Sequence, residues 1–210
     1  MPASNERFRA ALDEKSADFG IQLTDRDIER LSNYYALVLK WNPRLHLVAP
    51  CSPEEFATRH ILESLMLIHY LPLNARVADI GSGAGLPLIP CLLVRPDLRV
   101  TLIESSQRKL IFLREAIPHA NSGTPARLIG GRFEDVPPPD AEFITCRALD
   151  RFQEMLPKII DWAPTNCTLL LFAGAELRKQ IEGRFPRAKS EQIPGSAQRF
   201  LMVVNLIAQT

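Results

Sequence analysis

Two hydrophobic periodicities divide the chain. Up to about residue 70, apolar positions recur at helical spacing; beyond it, short apolar runs alternate with helical ones. Arg7 to Phe19 carries Phe8, Ala11, Leu12 and Phe19 on one face and ends at Gly20, which predicts a first helix. Thr24-Asp25-Arg26-Asp27 reads as a capping-box variant that opens a second, with Ile28, Leu31, Tyr35, Val38 and Leu39 at helical spacing. Pro43 is expected to stop that helix at Trp41-Asn42, because proline disfavours helical geometry in the residue before it. Ser52-Pro53-Glu54-Glu55 is a further start signal, with Pro53 at the first helical position and Glu55 closing the box. The helix it opens holds Phe56, Ile61, Leu62, Leu65, Ile68 and His69. Arg59-His60 and Glu63-Ser64 within it are expected to form a solvated face with internal ion pairs.

From Val77 the pattern changes. Val77, Ala78 and Ile80 read as a buried strand broken by Asp79, followed by Gly81-Ser82-Gly83-Ala84-Gly85 and the apolar run Leu86 to Val94. Further strands are expected at Arg99 to Glu104, Ala126 to Ile129, Glu142 to Cys146 and Cys167 to Ala173. Helices fall between them: Gln107 to Ile117 behind a Ser105 or Ser106 cap, Phe152 to Trp162, and Glu176 to Phe185. Lys189 to Ile193 and Phe200 to Ala208, joined through Pro194-Gly195-Ser196, predict a closing antiparallel hairpin. The fold class is therefore α/β, a Rossmann-like seven-stranded sheet. The expected division is a helical extension over 1–72 and a core over 73–210.

Composition narrows the class only slightly. Hydrophobic content of 46% and charged content of 23% describe an ordinary globule. With 25 Lys+Arg against 24 Asp+Glu, any basic face must be local. No apolar run approaches bilayer length and the start is polar, so no membrane partner is expected. Cys51, Cys91, Cys146 and Cys167 form no C-x-x-C pair, which suits buried thiols in a reducing cytoplasm. His46, His60, His69 and His119 lack metal-ligand spacing, so no metal is expected.

The glycine turn carries the chemistry. A dinucleotide fingerprint wants G-x-G-x-x-G, but Leu86 stands where the third glycine belongs. What remains is G-x-G-x-G with Asp79 two residues ahead, read as an S-adenosylmethionine (SAM) loop of a class I methyltransferase. That ligand has no pyrophosphate to cradle, and Asp79 can face its cationic amino-acid moiety. Glu104 ends the second strand, where an acid can take both ribose hydroxyls of an adenosine. Phe133 and Glu134 either flank the adenine or form a mere turn. Arg147 falls at the ligand crevice by topology, with a buried ion pair as the alternative. Lys40, Arg44, Arg59 and His60 lie near helix ends and, with Arg147 and Arg199, become the expected RNA-binding residues under the resemblance that follows.

These segments together resemble the bacterial 16S ribosomal RNA guanine-N7 methyltransferases, the glucose-inhibited division protein B family. The resemblance rests on Leu39-Lys40-Trp41-Asn42, Arg59-His60-Ile61-Leu62-Glu63-Ser64, and Asp79 through Pro87. It continues through Arg108-Lys109-Leu110-Ile111-Phe112-Leu113, Arg132-Phe133-Glu134-Asp135 and Cys146-Arg147-Ala148. It implies that Gly81, Leu86, Phe133 and Glu134 contact SAM, with Arg147 in the same pocket; Gly83 and Gly85 join them from the loop motif itself. It also implies methyl transfer to N7 of a guanine in 16S ribosomal RNA or a small-subunit particle. N7 bears a lone pair and no proton, so no catalytic base is assigned. The chain departs from the family pattern at His46-Leu47-Val48, at Cys146, and at Ala173-Gly174, where the family has lysine before glycine.

Three other readings share parts of this pattern. A SAM methyltransferase of a small molecule has the same core and would ignore ribonuclease treatment of its substrate pool. An NAD oxidoreductase shares the acid at the second strand, but Leu86 and the closing hairpin count against it. A non-catalytic ribosome-binding protein is the third, and the absent lysine before Gly174 favours it.

Overall fold

Strand alternation in the second half of the chain produces one sheet with two covered faces. A computed structural model of the chain describes residues 2–120, 126–147 and 152–206. Its strands are β1 (Arg76–Ile80), β2 (Arg99–Glu104), β3 (Arg127–Gly130), β4 (Phe143–Cys146), β5 (Thr168–Gly174), β6 (Lys189–Gln192) and β7 (Arg199–Asn205). The order across the sheet is β3-β2-β1-β4-β5-β7-β6. The pairs β1–β2, β1–β4, β2–β3 and β4–β5 are parallel, while β7 runs antiparallel between β5 and β6. The closing hairpin expected from the sequence is present. Strand ends differ from the expected ones by one or two residues; Ala148 and the end of the last strand at Ala208 lie outside the described residues. Because the chain leaves β1 toward β2 on one side and returns to β4 on the other, a crevice opens at the carboxyl ends of these two strands.

Period-two alternation sorts the strand side chains into two cores. Ala78, Ile80, Ile103, Leu169 and Leu171 pack with Leu156 and Ile159 of α7 (Phe152–Trp162) and Leu177 and Ile181 of α8 (Ala175–Arg184). Val77, Val100, Leu102, Leu170 and Phe172 face the other way. There they meet α5 (Leu88–Val94), α6 (Gln107–Ala120) and the amino-terminal helices in one continuous cluster. Those first helices are α1 (Pro2–Lys15), α2 (Asp25–Leu45) and a continuous helical run over 53–69. Phe8 stacks on Tyr35 at 4.4 Å between ring centroids, and Tyr35 meets Phe56 at 4.8 Å, which knits the three together.

Pro43 does not stop α2, which runs on to Leu45. The missing Pro43 N–H costs α2 one bond, to the carbonyl four residues back, while the turn beyond it still closes through the His46 N–H on the Asn42 carbonyl. Asn42 shapes the exit instead: its amide donates to the Val48 carbonyl and its oxygen accepts the Val48 N–H, both at 3.0 Å. The Thr24–Asp27 capping box is present. At Ser52 the hydroxyl accepts the Glu55 N–H at 3.1 Å, while the Glu55 carboxylate turns to Arg59. The 53–69 run then changes pitch: α3 (Pro53–Glu55) leads into a π-helical segment over Phe56–Leu62, then α4 (Glu63–Leu65) and a 3-10 turn over Met66–His69.

The turn after β1 is fixed from three sides. Gly81 and Ser82 donate their N–H groups to the Ile103 carbonyl at 2.9 and 3.1 Å, and Gly85 donates to Ser82 at 2.6 Å. Gly83 donates to Glu104 Oε2 at 2.7 Å. From above, the buried Tyr34 hydroxyl of α2 donates to the Ala84 carbonyl at 2.6 Å. Two of the glycines have different reasons to be glycine. A Cβ on Gly85 (φ +82°) would come within 2.3 Å of Ile89 Cγ1, whereas one on Gly83 (φ +52°) meets nothing nearer than the Gly81 carbonyl at 3.7 Å. Gly85 serves helix packing; Gly83 keeps open a surface that nothing within the chain fills. Gly85→Ala is therefore expected to cost about 2–4 kcal/mol by overpacking and left-handed strain. Gly83→Ala should cost about 1 kcal/mol, the strain alone. Urea melts of the two variants check the difference.

Candidate active site

Two cavities open at the carboxyl ends of the strands, one on each side of the β1/β4 crevice. The first, about 260 Å³, lies over β1, β2 and β3, with Gly81, Ser105, Phe133 and Glu134 on its wall and Met155 of α7 closing it. Phe133 is held by Trp162, which meets it edge-on at 5.4 Å and donates its indole N–H to the Val136 carbonyl at 2.7 Å. The Glu134 carboxylate lies 3.6 Å from Lys158 and 4.0 Å from Arg132. Met155 and Trp162 were not singled out in the sequence, where both read as the apolar face of a helix.

The remaining cofactor candidates lie behind this wall. Glu104 is buried, with Oε2 accepting the Gly83 N–H and Oε1 the Ser106 N–H, both at 2.7 Å. Its carboxylate thus orients the glycine turn, and each oxygen keeps a second lone pair for a ligand hydroxyl. Asp79 is fully buried, neither carboxylate oxygen has a hydrogen-bond partner among the described residues, and burial pushes its pKa well up. Thr145, its register partner on β4, has an equally unpartnered hydroxyl. Buried polar atoms without partners mark a place where a donor is missing. Leu86 is packed into the core and offers a ligand little beyond its backbone. With the N–H groups of 81, 82, 83 and 85 all committed within the chain, the turn is no anion cradle. A pyrophosphate is poorly served here; a ligand presenting hydroxyls and an ammonium group fits these acceptors.

The second cavity, about 550 Å³, lies over β4, β5 and the start of β7. Arg147 lines this cavity, across the β1/β4 crevice from Phe133 and Glu134. Arg59, Glu63, Phe172, Glu176 and Arg199 share the wall. At its centre Glu63 is buried: Oε2 accepts from Arg147 at 3.3 Å and Oε1 from Arg199. Arg147 also donates to Ser64 Oγ at 3.1 Å and to the carbonyls of Arg59 and His60, and its guanidinium lies 5.3 Å over the Phe172 ring. The Glu63-Ser64 pair is therefore an interior ion cluster and not the solvated face expected. Burial raises the Glu63 carboxyl pKa against the pull of Arg147, Arg199 and Arg59, and burial lowers that of Arg147.

The other RNA candidates are scattered. Lys40 pairs with Glu115 at 3.0 Å, beside the Trp41 indole N–H on the same carboxylate. Arg44 is exposed and its carbonyl accepts from Arg108 at 2.9 Å. Arg59 is exposed and paired with Glu55 at 2.5 Å. His60 is corrected as a cation: burial first, then Arg147, Arg59 and Arg199, bring its pKa down to about 3. It stays neutral, with its ring 5.0 Å from Phe56 and its buried Nδ1 unpartnered.

That depression has a pH signature. Folded His60 titrates near 3 and unfolded histidine near 6.5, so between these values the unfolded chain binds the extra proton. His60 thus contributes a loss of stability as pH falls below 6.5, at most about 1.4 kcal/mol per unit. His60→Gln should flatten the slope of unfolding free energy against pH in that window, read from urea melts.

Among the described residues no group of three or more histidine, cysteine or acidic side chains could hold a metal, and no helix is long and apolar enough to cross a membrane. Among solved structures, a methyltransferase from Pyrococcus furiosus matches with TM-score 0.57 and 18% identity, covering 84% of this chain and all (100%) of that one. A tRNA (m1A58) methyltransferase from Aquifex aeolicus matches with TM-score 0.54 and 14% identity over 70% of this chain and 69% of that one. Both likenesses concern the fold. In sequence, the ribosomal RNA small subunit methyltransferase G of Xanthomonas campestris is 36% identical, spanning 83% of this chain and 85% of that protein. Its Xanthomonas oryzae counterpart is 41% identical over 83% and 84%, and that of Chromobacterium violaceum 35% identical over 70% of each. The family model described as GidB, rRNA small subunit methyltransferase G, matches residues 27–202, and the chain belongs to that family.

Proposed function

We propose that this chain transfers the methyl group of SAM to N7 of a guanine in 16S ribosomal RNA. The observation that carries the reading is the pair of cavities on either side of the β1/β4 crevice, in a chain of this family. SAM, when bound, supplies an electrophilic methyl group. Gly81, Phe133 and Glu134 would hold its adenosine, Glu104 its ribose hydroxyls, and the unpartnered Asp79 carboxylate answers an ammonium group. Gly83 and Gly85 shape the turn beneath it, and Leu86 supports that turn from the core.

Guanine N7 has no proton to remove, so the protein has no proton to move. Its residues act by orientation, which in well-aligned systems contributes up to roughly 7–11 kcal/mol. Arg147 ends β4 between the two cavities and is locked by Glu63, Ser64 and two carbonyls, so a base meeting it meets a fixed wall. The base must leave its stack to reach this depth, which favours an unpaired loop as target. Residues 1–72 serve as the helical platform for that RNA, with Lys40, Arg44 and Arg59 on its rim, and 73–210 as the catalytic core.

7-Methylguanosine carries a fixed positive charge and a labile glycosidic bond. Mild reduction followed by aniline should cleave small-subunit RNA at one guanine when it comes from a wild-type strain, and not from a strain lacking the gene. Purified protein with SAM should restore the cleavage. Identical cleavage in the two strains would leave the chain a methyltransferase of some other substrate.

A further inference from the structure

The second cavity holds more positive charge than methyl transfer to a base can use. Three guanidiniums, Arg59, Arg147 and Arg199, share its wall with two carboxylates, Glu63 and Glu176. Glu63 divides its oxygens between Arg147 and Arg199, so one carboxylate faces two cations and a positive charge remains over. A purine becomes cationic as N7 is methylated. Arg147 and Arg199, which share the single charge of Glu63, would oppose the transfer by Coulomb repulsion, which a weakly solvated pocket strengthens. An anion brought in by the substrate removes that opposition, and the anion every nucleotide carries is its phosphate.

The geometry suits a phosphate as well as the charge does. Arg199 starts β7 opposite Gly174, held from one side by Glu63 and from the other by Ser196 Oγ at 3.1 Å, which fixes its fork before any ligand arrives. Its side chain is 32% exposed, open toward the cavity it lines. Gly174 and Ala175, at the start of the ten-residue α8, form the floor beside it with no side-chain cap over the first helical turn. The volume of about 550 Å³ is that of a pocket for one small ligand.

We propose that this cavity seats a guanosine 5′-monophosphate unit, its phosphate on Arg199 and Arg59 and its base toward Arg147, with Glu63 as the residue that positions the two inner arginines. The proposal rests on the reading of the chain as a guanine methyltransferase and adds the recognition of a single nucleotide by its phosphate. Arg199 thereby supplies a cation at the end of β5, where Ala173-Gly174 has none.

The test is titration calorimetry of the full chain with GMP, guanosine and inorganic phosphate at low salt. GMP should bind at least tenfold more tightly than guanosine, and inorganic phosphate should compete with it. Arg199→Gln should bring GMP down to the level of guanosine while guanosine itself is unchanged. Glu63→Gln separates positioning from simple charge: removing a negative charge alone would tighten GMP, whereas losing the strut should weaken it at least fivefold. Thermal melts of both variants establish that they are folded. Equal affinity for GMP and guanosine, no GMP binding, an indifferent Arg199→Gln, or tighter binding by Glu63→Gln each overturns the proposal. Guanine-specific aniline cleavage without GMP binding would remove this proposal and leave the methyltransferase reading standing. GMP binding without cleavage would do the reverse.

Discussion

One buried carboxylate ties the amino-terminal helical run to the ends of the strands. Glu63 comes from the amino-terminal helical run, Arg147 from the end of β4, and Arg199 from the start of β7. Without Glu63 the two guanidiniums would repel each other at the mouth of the crevice. With it, three segments distant in sequence meet at one point. A buried ion pair is seldom a large net source of stability, but removing one partner strands the other charge, at about 3–5 kcal/mol. The π-helical stretch over Phe56–Leu62 belongs to the same arrangement, because Arg147 also donates to the Arg59 and His60 carbonyls within it. The shared hydrophobic cluster then makes the helical layer part of the sheet's own core.

The first cavity follows a complementary logic. There the Gly81, Ser82, Gly83 and Gly85 N–H groups of the turn are committed internally, and unmet demand sits on Asp79, Thr145 and the remaining lone pairs of Glu104. One side of the crevice therefore asks for donors and the other, rich in guanidiniums, for an anion. A cationic cofactor and a polyanionic substrate answer those demands in turn. His60, neutral beside Phe56, adds no further positive charge to the arginine cluster.

Much of this was legible in the sequence where the signal is local. The capping box at Thr24, the strand at Arg99 to Glu104, the glycine turn and the closing hairpin all rest on neighbours within a few residues. Pro43 misled because helix termination depends on what the next turn can offer, here the Asn42 side chain bonding Val48 six residues on. Glu63 misled more seriously. Its neighbours Arg59 and His60 suggested a solvated face, but its partners lie 84 and 136 residues away. The neutrality of His60 likewise comes from burial and from distant arginines, and no spacing along the chain encodes it. The two faces of Arg147, ion pair and crevice wall, were both in view from topology; the sequence could not tell which cavity it lines.

The central claim is that Glu63 and Arg147 act as one interaction. A double-mutant cycle on Glu63→Gln and Arg147→Gln, read as unfolding free energy in urea, measures it directly. Each single substitution leaves a buried partner unpaired, so the double variant should be less destabilised than the sum of the two by at least about 1 kcal/mol. Effects that add to within about 0.5 kcal/mol would mean that the two residues are independent, and that the helical layer is held to the strand ends by something else.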